Sequence, residues 1–177
     1  MSILIYFILG LLTSLLFPQY FFLPLGFIIF PSLCFLLNSN KENYSDKNIF
    51  NKFSIFGFGF FISYLFWIKN PFFVFEETKN FFLVFLLLII FLSVILGLIF
   101  TIIFKLGKKI PIIILIPLMF TSSEYIISIF FYGFPWFTFS LLLSSNEYLL
   151  FSLKLFGTLF SSYFIIQIFW QIKMVLK

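Results

Sequence analysis

Residues 81–104 read FFLVFLLLIIFLSVILGLIFTIIF, a run without a charge in which only Ser93, Gly97 and Thr101 interrupt the large apolar side chains. A helix needs about 20 apolar residues to cross a hydrocarbon core of about 30 Å, and this run meets that length. Its character extends over the rest of the chain. Of 177 residues, 63% are hydrophobic, 25% aromatic and 10% charged, whereas about a quarter are charged in an ordinary soluble domain. The mean hydropathy is +1.20. A water-soluble fold of this size has too little interior to hide so much apolar surface, and a disordered chain is poor in aromatics and rich in charge. The reading is an all-α integral membrane protein.

The other apolar runs lie on both sides of this one. The first, Ile3 to Leu37, would measure roughly 52 Å as a single helix at 1.5 Å per residue, too long for one crossing. The break falls at Phe17-Pro18-Gln19-Tyr20, because Pro removes a backbone donor and biases the residue before it away from helix. Helices are therefore expected at about 3–17 and 20–37, the second distorted by Pro24 and Pro31. A polar segment, 38–52, is placed outside the bilayer. Further helices are expected at about 53–68, ending near Trp67, then 81–104, 110–131 and 148–170. Together they make one transmembrane domain over residues 1–177, a bundle of about six transmembrane helices.

Basic residues accumulate in cytoplasmic loops close to helix ends. With six crossings, Lys41, Lys47, Lys52, Lys105, Lys108, Lys109, Lys173 and Lys177 share one side, and only Lys69 and Lys79 lie on the other. Both termini are expected in the cytoplasm, with the connector 132–147 facing outward. The opening residues lack the basic region of a cleaved signal peptide, so the first helix is expected to be retained. Without His there is no imidazole base, no Ser-His-Asp triad and no His metal site. One Cys allows no disulfide within the chain and no CxxC motif. The Lys residues sit between apolar runs, so the net charge of +5 does not suggest a nucleic-acid partner. No cofactor or metal is expected.

The most informative polar signal is Glu124 followed by Gly133-Phe134-Pro135-Trp136. Its plain reading is a helix stop at Gly133 and Pro135 with Trp136 at the water–lipid boundary. The spacings Gly59-xxx-Ser63 and Ser93-xxx-Gly97 read as ordinary close helix packing. The 34 Phe residues read as lipid-facing bulk.

The same stretch resembles the membrane domain of the apolipoprotein N-acyltransferases, where a Glu precedes Gly-Phe-Pro-Trp after a Pro-containing apolar helix. Phe17-Pro18 is similar to an early aromatic-Pro turn of that family. Gly57-Phe58-Gly59-Phe60-Phe61, ending at Trp67, is similar to its Gly-rich third helix, and Gly157 falls near the Gly of its sixth. The resemblance implies a bacterial inner-membrane protein of lipoprotein maturation, which moves an acyl chain from a membrane phospholipid to the amino group of a lipoprotein's lipidated Cys. It also implies that a nitrilase-like domain carries the chemistry, through a Glu-Lys-Cys triad and a thioester.

None of these triad positions maps onto the 177 residues, so the expectation is a truncated or split enzyme, not catalytic alone, with a separate nitrilase-like domain as partner. Cys34, in an apolar stretch of the second helix, reads as a small core or lipid-facing residue. A non-enzymatic small membrane protein, such as a transporter subunit or assembly partner, is the alternative. Glu124 departs from the family in one respect: the Arg commonly found three residues later is Ile127 here. A carboxylate inside a membrane is costly and needs a partner or a proton. Two solutions are open, an ion pair with Lys154 or a neutral Glu124 bonded to Ser or Tyr neighbours.

Overall fold

The computed structural model describes residues 3–38, 44–133 and 136–175, with side chains through Trp170. Lys41, Phe134, Pro135 and Lys177 lie outside the described residues. All regular structure among the described residues is helical. The helices are α1 (Ile3–Ser14), α2 (Gly26–Asn38), α3 (Asp46–Tyr64), α4 (Phe82–Leu106), α5 (Ile112–Phe130), α6 (Glu147–Phe156) and α7 (Thr158–Val175). Short 3₁₀ stretches at Leu23–Leu25, Phe66–Phe73, Glu76–Phe81 and Phe139–Ser145 join them.

Glu76–Leu106 and Ile112–Phe130 are long and apolar enough to cross a membrane, and Asp46–Tyr64 with Phe66–Phe73, bent by 49°, makes a third if taken as one broken span. Ile3–Ser14, Leu23–Asn38 and Thr158–Trp170 are apolar but shorter. By length and composition, then, two or three spans among the described residues meet the requirement for crossing.

Several boundaries differ from the sequence reading, α2 beginning only at Gly26 after a turn and the 3₁₀ stretch Leu23–Leu25, and two of the differences have an identifiable reason. α3 begins at Asp46, inside the segment taken as a polar loop. Ser45 is extended and its side chain accepts from the Asn48 amide at 3.3 Å, which satisfies one of the donors left open at a helix start. The stripe that packs, Ile49, Phe53, Phe56 and Phe60, recurs every three or four residues and starts within that polar stretch. The expected helix 148–170 is two helices. Gly157, at φ 74 and ψ 170, holds a conformation that residues with a Cβ scarcely visit, and it separates α6 from α7.

α1 packs on α3 and α3 on α4, while α2, α5 and α7 pack together and α4 meets α5. The first set is pressed close by small residues. A Cβ on Gly10 would run into the Phe56 carbonyl of α3, one on Gly59 into the Phe7 carbonyl of α1, and one on Gly97 into the Ser54 hydroxyl. The Ser14 and Ser63 hydroxyls meet 2.7 Å apart across the α1–α3 seam. Both small-residue spacings read from the sequence thus lie at helix crossings, as expected where close backbone approach replaces the hydrophobic drive.

The Phe residues divide into two populations. One faces outward, as do Phe91 on α4 and Phe151 on α6, each more than half exposed. The other is central. Phe17, Phe30, Phe53, Phe56, Phe61, Phe100 and Phe139 are fully buried, so the reading of Phe as lipid-facing bulk holds for only part of the set.

Candidate functional site

α5 carries the polar patch Thr121-Ser122-Ser123-Glu124 through an apolar helix. Thr121 donates to the Pro117 carbonyl at 2.7 Å and Ser123 to the Phe120 carbonyl at 2.6 Å. These hydroxyls are satisfied within their own helix. The Glu124 carboxylate has to find its donor elsewhere.

The donor comes from the chain beyond the helix stop. Tyr132 takes a left-handed φ of 54 and Gly133 a φ of 88. The Tyr132 amide donates to the Ile129 carbonyl at 3.2 Å and the Gly133 amide to the Ser128 carbonyl at 2.7 Å. This is a Schellman ending. It makes Gly133 part of the stop and adds Tyr132 as the residue at the left-handed position. Trp136 then packs edge-on against Phe131, ring centroids 5.1 Å apart.

The connector does not stay on the surface. Phe137, Phe139, Ser140 and Leu142 are buried, and Phe139–Ser145 forms a 3₁₀ turn inside the bundle. The first amides of such a turn have no partner within it. Here the Phe139 amide donates to Glu124 Oε1 at 2.8 Å, and the Ser140 amide donates to Ser162 Oγ of α7 at 2.8 Å. A carboxylate at this end also complements the dipole of the turn. The Phe139 ring fills the space between Phe17, Phe30 and Phe120, with centroids 5.2, 5.9 and 5.2 Å away. One residue therefore joins the first turn, α2 and α5.

Glu124 is 4% exposed, and its Oε2 is buried without a hydrogen bond. A cavity of about 400 Å³ lies beside it, lined by Glu124, Tyr125, Ser128, Thr138 and Ser140 on the polar side and by Leu141, Leu153 and Leu159 on the apolar one. The arrangement offers an acceptor and several hydroxyls against apolar walls. It suits holding and orienting a ligand.

Lys154 does not take part. It is exposed on α6, a helix with no buried residue, and it forms no ion pair with Glu124. The break at Gly157 removes α6 from the continuous helix on which that ion pair, one of the two solutions left open, depended. Trp67 is also elsewhere, 54% exposed just past the end of α3 and beside a second cavity. Cys34 is buried in α2. Sequence reasoning missed Phe139, Ser140 and Ser162. The one available signal was Ser161-Ser162 in an apolar helix: Ser161 bonds back to Gly157 at 2.7 Å, which leaves Ser162 to reach across.

The family model of the apolipoprotein N-acyltransferase N-terminal domain matches residues 9–170. The chain belongs to this family. The match covers α2 through α6 entirely, together with parts of α1 and α7, so it includes Glu124, the Schellman ending and the buried connector. No curated protein and no solved structure matches the chain.

Proposed function

We propose that this chain is the membrane domain of an apolipoprotein N-acyltransferase-like protein of the bacterial inner membrane, serving transfer of an acyl chain from a phospholipid to a lipoprotein's amino terminus. The observation that carries the proposal is the family match over residues 9–170. In this reading the domain is multi-pass, with both termini cytoplasmic and the connector 132–147 outward, as the lysine distribution supports. The connector, clamped by Glu124 and Ser162, forms a floor on which phospholipid and lipoprotein are held.

The bond changes belong to a nitrilase-like domain outside these 177 residues. There a thiolate displaces the phospholipid's ester oxygen to give a thioester, and the lipoprotein amine then displaces the thiol to give the amide. The 177 residues do not catalyse this alone, since their one thiol, Cys34, is buried among apolar side chains.

Complementation tests the proposal. The chain is expressed in cells depleted of their own N-acyltransferase, with and without a separately expressed nitrilase-like domain, and lipoprotein amino termini are examined by mass spectrometry. Acylation only when both pieces are present is the expected result. No acylation in either case, with the chain shown to be inserted, overturns it.

A further inference from the structure

Oε2 of Glu124 is buried and has no hydrogen-bond partner among the described residues. The residue is 4% exposed and lines the cavity of about 400 Å³ beside α5. Oε1 already receives the Phe139 amide at 2.8 Å. Neither protonation state of the carboxyl group meets the need of Oε2. Ionised, it is an acceptor without a donor; protonated, it is a donor without an acceptor. Buried polar atoms are otherwise nearly always met, so the partner of Oε2 comes from outside the chain, through the cavity.

The cavity is furnished for a cation. Tyr125, Ser128, Thr138, Ser140 and Thr158 bring hydroxyl groups to it, oxygens of the kind that hard cations take. Ser128 gives its proton to the Tyr125 carbonyl at 2.8 Å, which leaves its lone pairs for a further partner. The lining also gathers three interruptions of helix: Gly133 where α5 stops, Thr138 ahead of the 3₁₀ turn, and Thr158 just past the break at Gly157. Interrupted helices inside a membrane bundle are where unwound backbone coordinates alkali cations.

Charge points the same way. A carboxylate in an apolar helix needs a countercharge or a proton, and among the described residues no Lys pairs with Glu124. One carboxylate balances one positive charge. Among the described residues no group of three or more His, Cys, Asp or Glu occurs, the kind of set that a divalent ion draws on.

We propose that this cavity binds a monovalent alkali-metal cation, sodium or potassium, with Glu124 Oε2 as its charged ligand and the surrounding hydroxyls as neutral ones. Glu124 then holds the connector with one oxygen and the ion with the other. The inference goes beyond acyl transfer: the ion neutralises the carboxylate that clamps the connector and thereby stabilises the bundle.

Thermal unfolding of the full chain in a neutral detergent provides the test, with sodium, potassium and choline chlorides compared at one ionic strength. Choline, whose methyl groups cover its charge, controls for general screening. Sodium or potassium is expected to raise the midpoint over choline in a saturating manner, by about 3–6 °C at ten times the half-saturating concentration. Glu124→Gln, which keeps an acceptor for the Phe139 amide, abolishes the rise. Ser128→Ala combined with Thr138→Ala keeps the carboxylate and raises the half-saturating concentration by about 2- to 12-fold. Glu77→Gln, an exposed acid in the segment before α4, leaves the response unchanged. Equal midpoints in the three salts, or a wild-type response in Glu124→Gln, overturns the proposal. Should Glu124→Gln fail to fold, wild-type half-saturation in the Ser128 and Thr138 variant overturns it instead. A midpoint that follows pH identically in sodium and in choline assigns a proton to the carboxylate and overturns it as well. No turnover is measured, so this result and the complementation result stand apart.

Discussion

Glu124 Oε1 and the Phe139 backbone amide lie 2.8 Å apart, joining α5 to a connector that begins beyond the helix stop. The bond spans 15 residues of sequence, and both partners are buried. A carboxylate that would be costly in an apolar helix thereby becomes the cap of a neighbouring turn. Ser162 does the same for the next amide, so adjacent residues of the connector are held from two different helices.

Replacing Glu124 by Ala strands the Phe139 N–H, which costs about 1–3 kcal/mol for a buried donor left unmade. Glu124→Gln keeps an acceptor at Oε1 and loses much less. Thermal unfolding in detergent measures both, and hydrogen exchange at Phe139 and Ser140 locates the effect. Ser162→Ala combined with Glu124→Ala is expected to be non-additive by about 0.5–3 kcal/mol, because the two act on one segment. An unchanged Phe139 exchange rate in Glu124→Ala counts against the clamp.

Phe139→Ala empties the space between Phe17, Phe30 and Phe120 and is expected to cost about 3–5 kcal/mol, as other buried Phe truncations do. Phe91, 52% exposed on α4, is the comparison: Phe91→Ala changes stability by about 0.5 kcal/mol or less. Equal losses at the two sites would mean that Phe139 is no more central than an outward-facing residue.

The sequence was most legible where one physical signal acted alone. Residues 81–104 carry no charge and 110–131 only that of Glu124, and α4 and α5 follow these runs within two residues at each end. It was least legible where backbone geometry decided. The start of α3 depends on a Ser45 cap acting against a polar composition. The division of α6 from α7 depends on one φ value. Glu124 stood out as a costly charge, but its partner is a backbone amide, which every residue except Pro carries and no side-chain pattern marks. The ion pair with Lys154, one of the two solutions left open, does not form for that reason, since a sequence displays countercharges only among its side chains.

Gly10 and Gly59 set the distance between α1 and α3. Gly10→Ala directs a Cβ at the Phe56 carbonyl, a backbone atom that cannot rotate away. The helices must separate, with an expected cost of about 1–3 kcal/mol, typical of overpacking. Gly59→Ala meets the Phe7 carbonyl in the same way and is expected to behave alike. The readout is the unfolding midpoint of each variant in detergent, with wild-type midpoints in both excluding a tight α1–α3 seam.

Gly157 offers a test that separates strain from crowding. Nothing lies within 4 Å of the position a Cβ would take there, so Gly157→Ala clashes with no neighbour. Its cost comes from φ 74 and ψ 170 alone, a region nearly closed to residues with a side chain, and is about 1–3 kcal/mol. The chain has one way to relieve it, by straightening α6 into α7, which would carry Leu153 away from the wall it shares with Glu124. Circular dichroism and the unfolding midpoint distinguish the outcomes. A lower midpoint at unchanged helicity means that the break is held, whereas a rise in helicity means that α6 has swung into line. A variant with wild-type midpoint and wild-type helicity would show that Gly157 does not define the break.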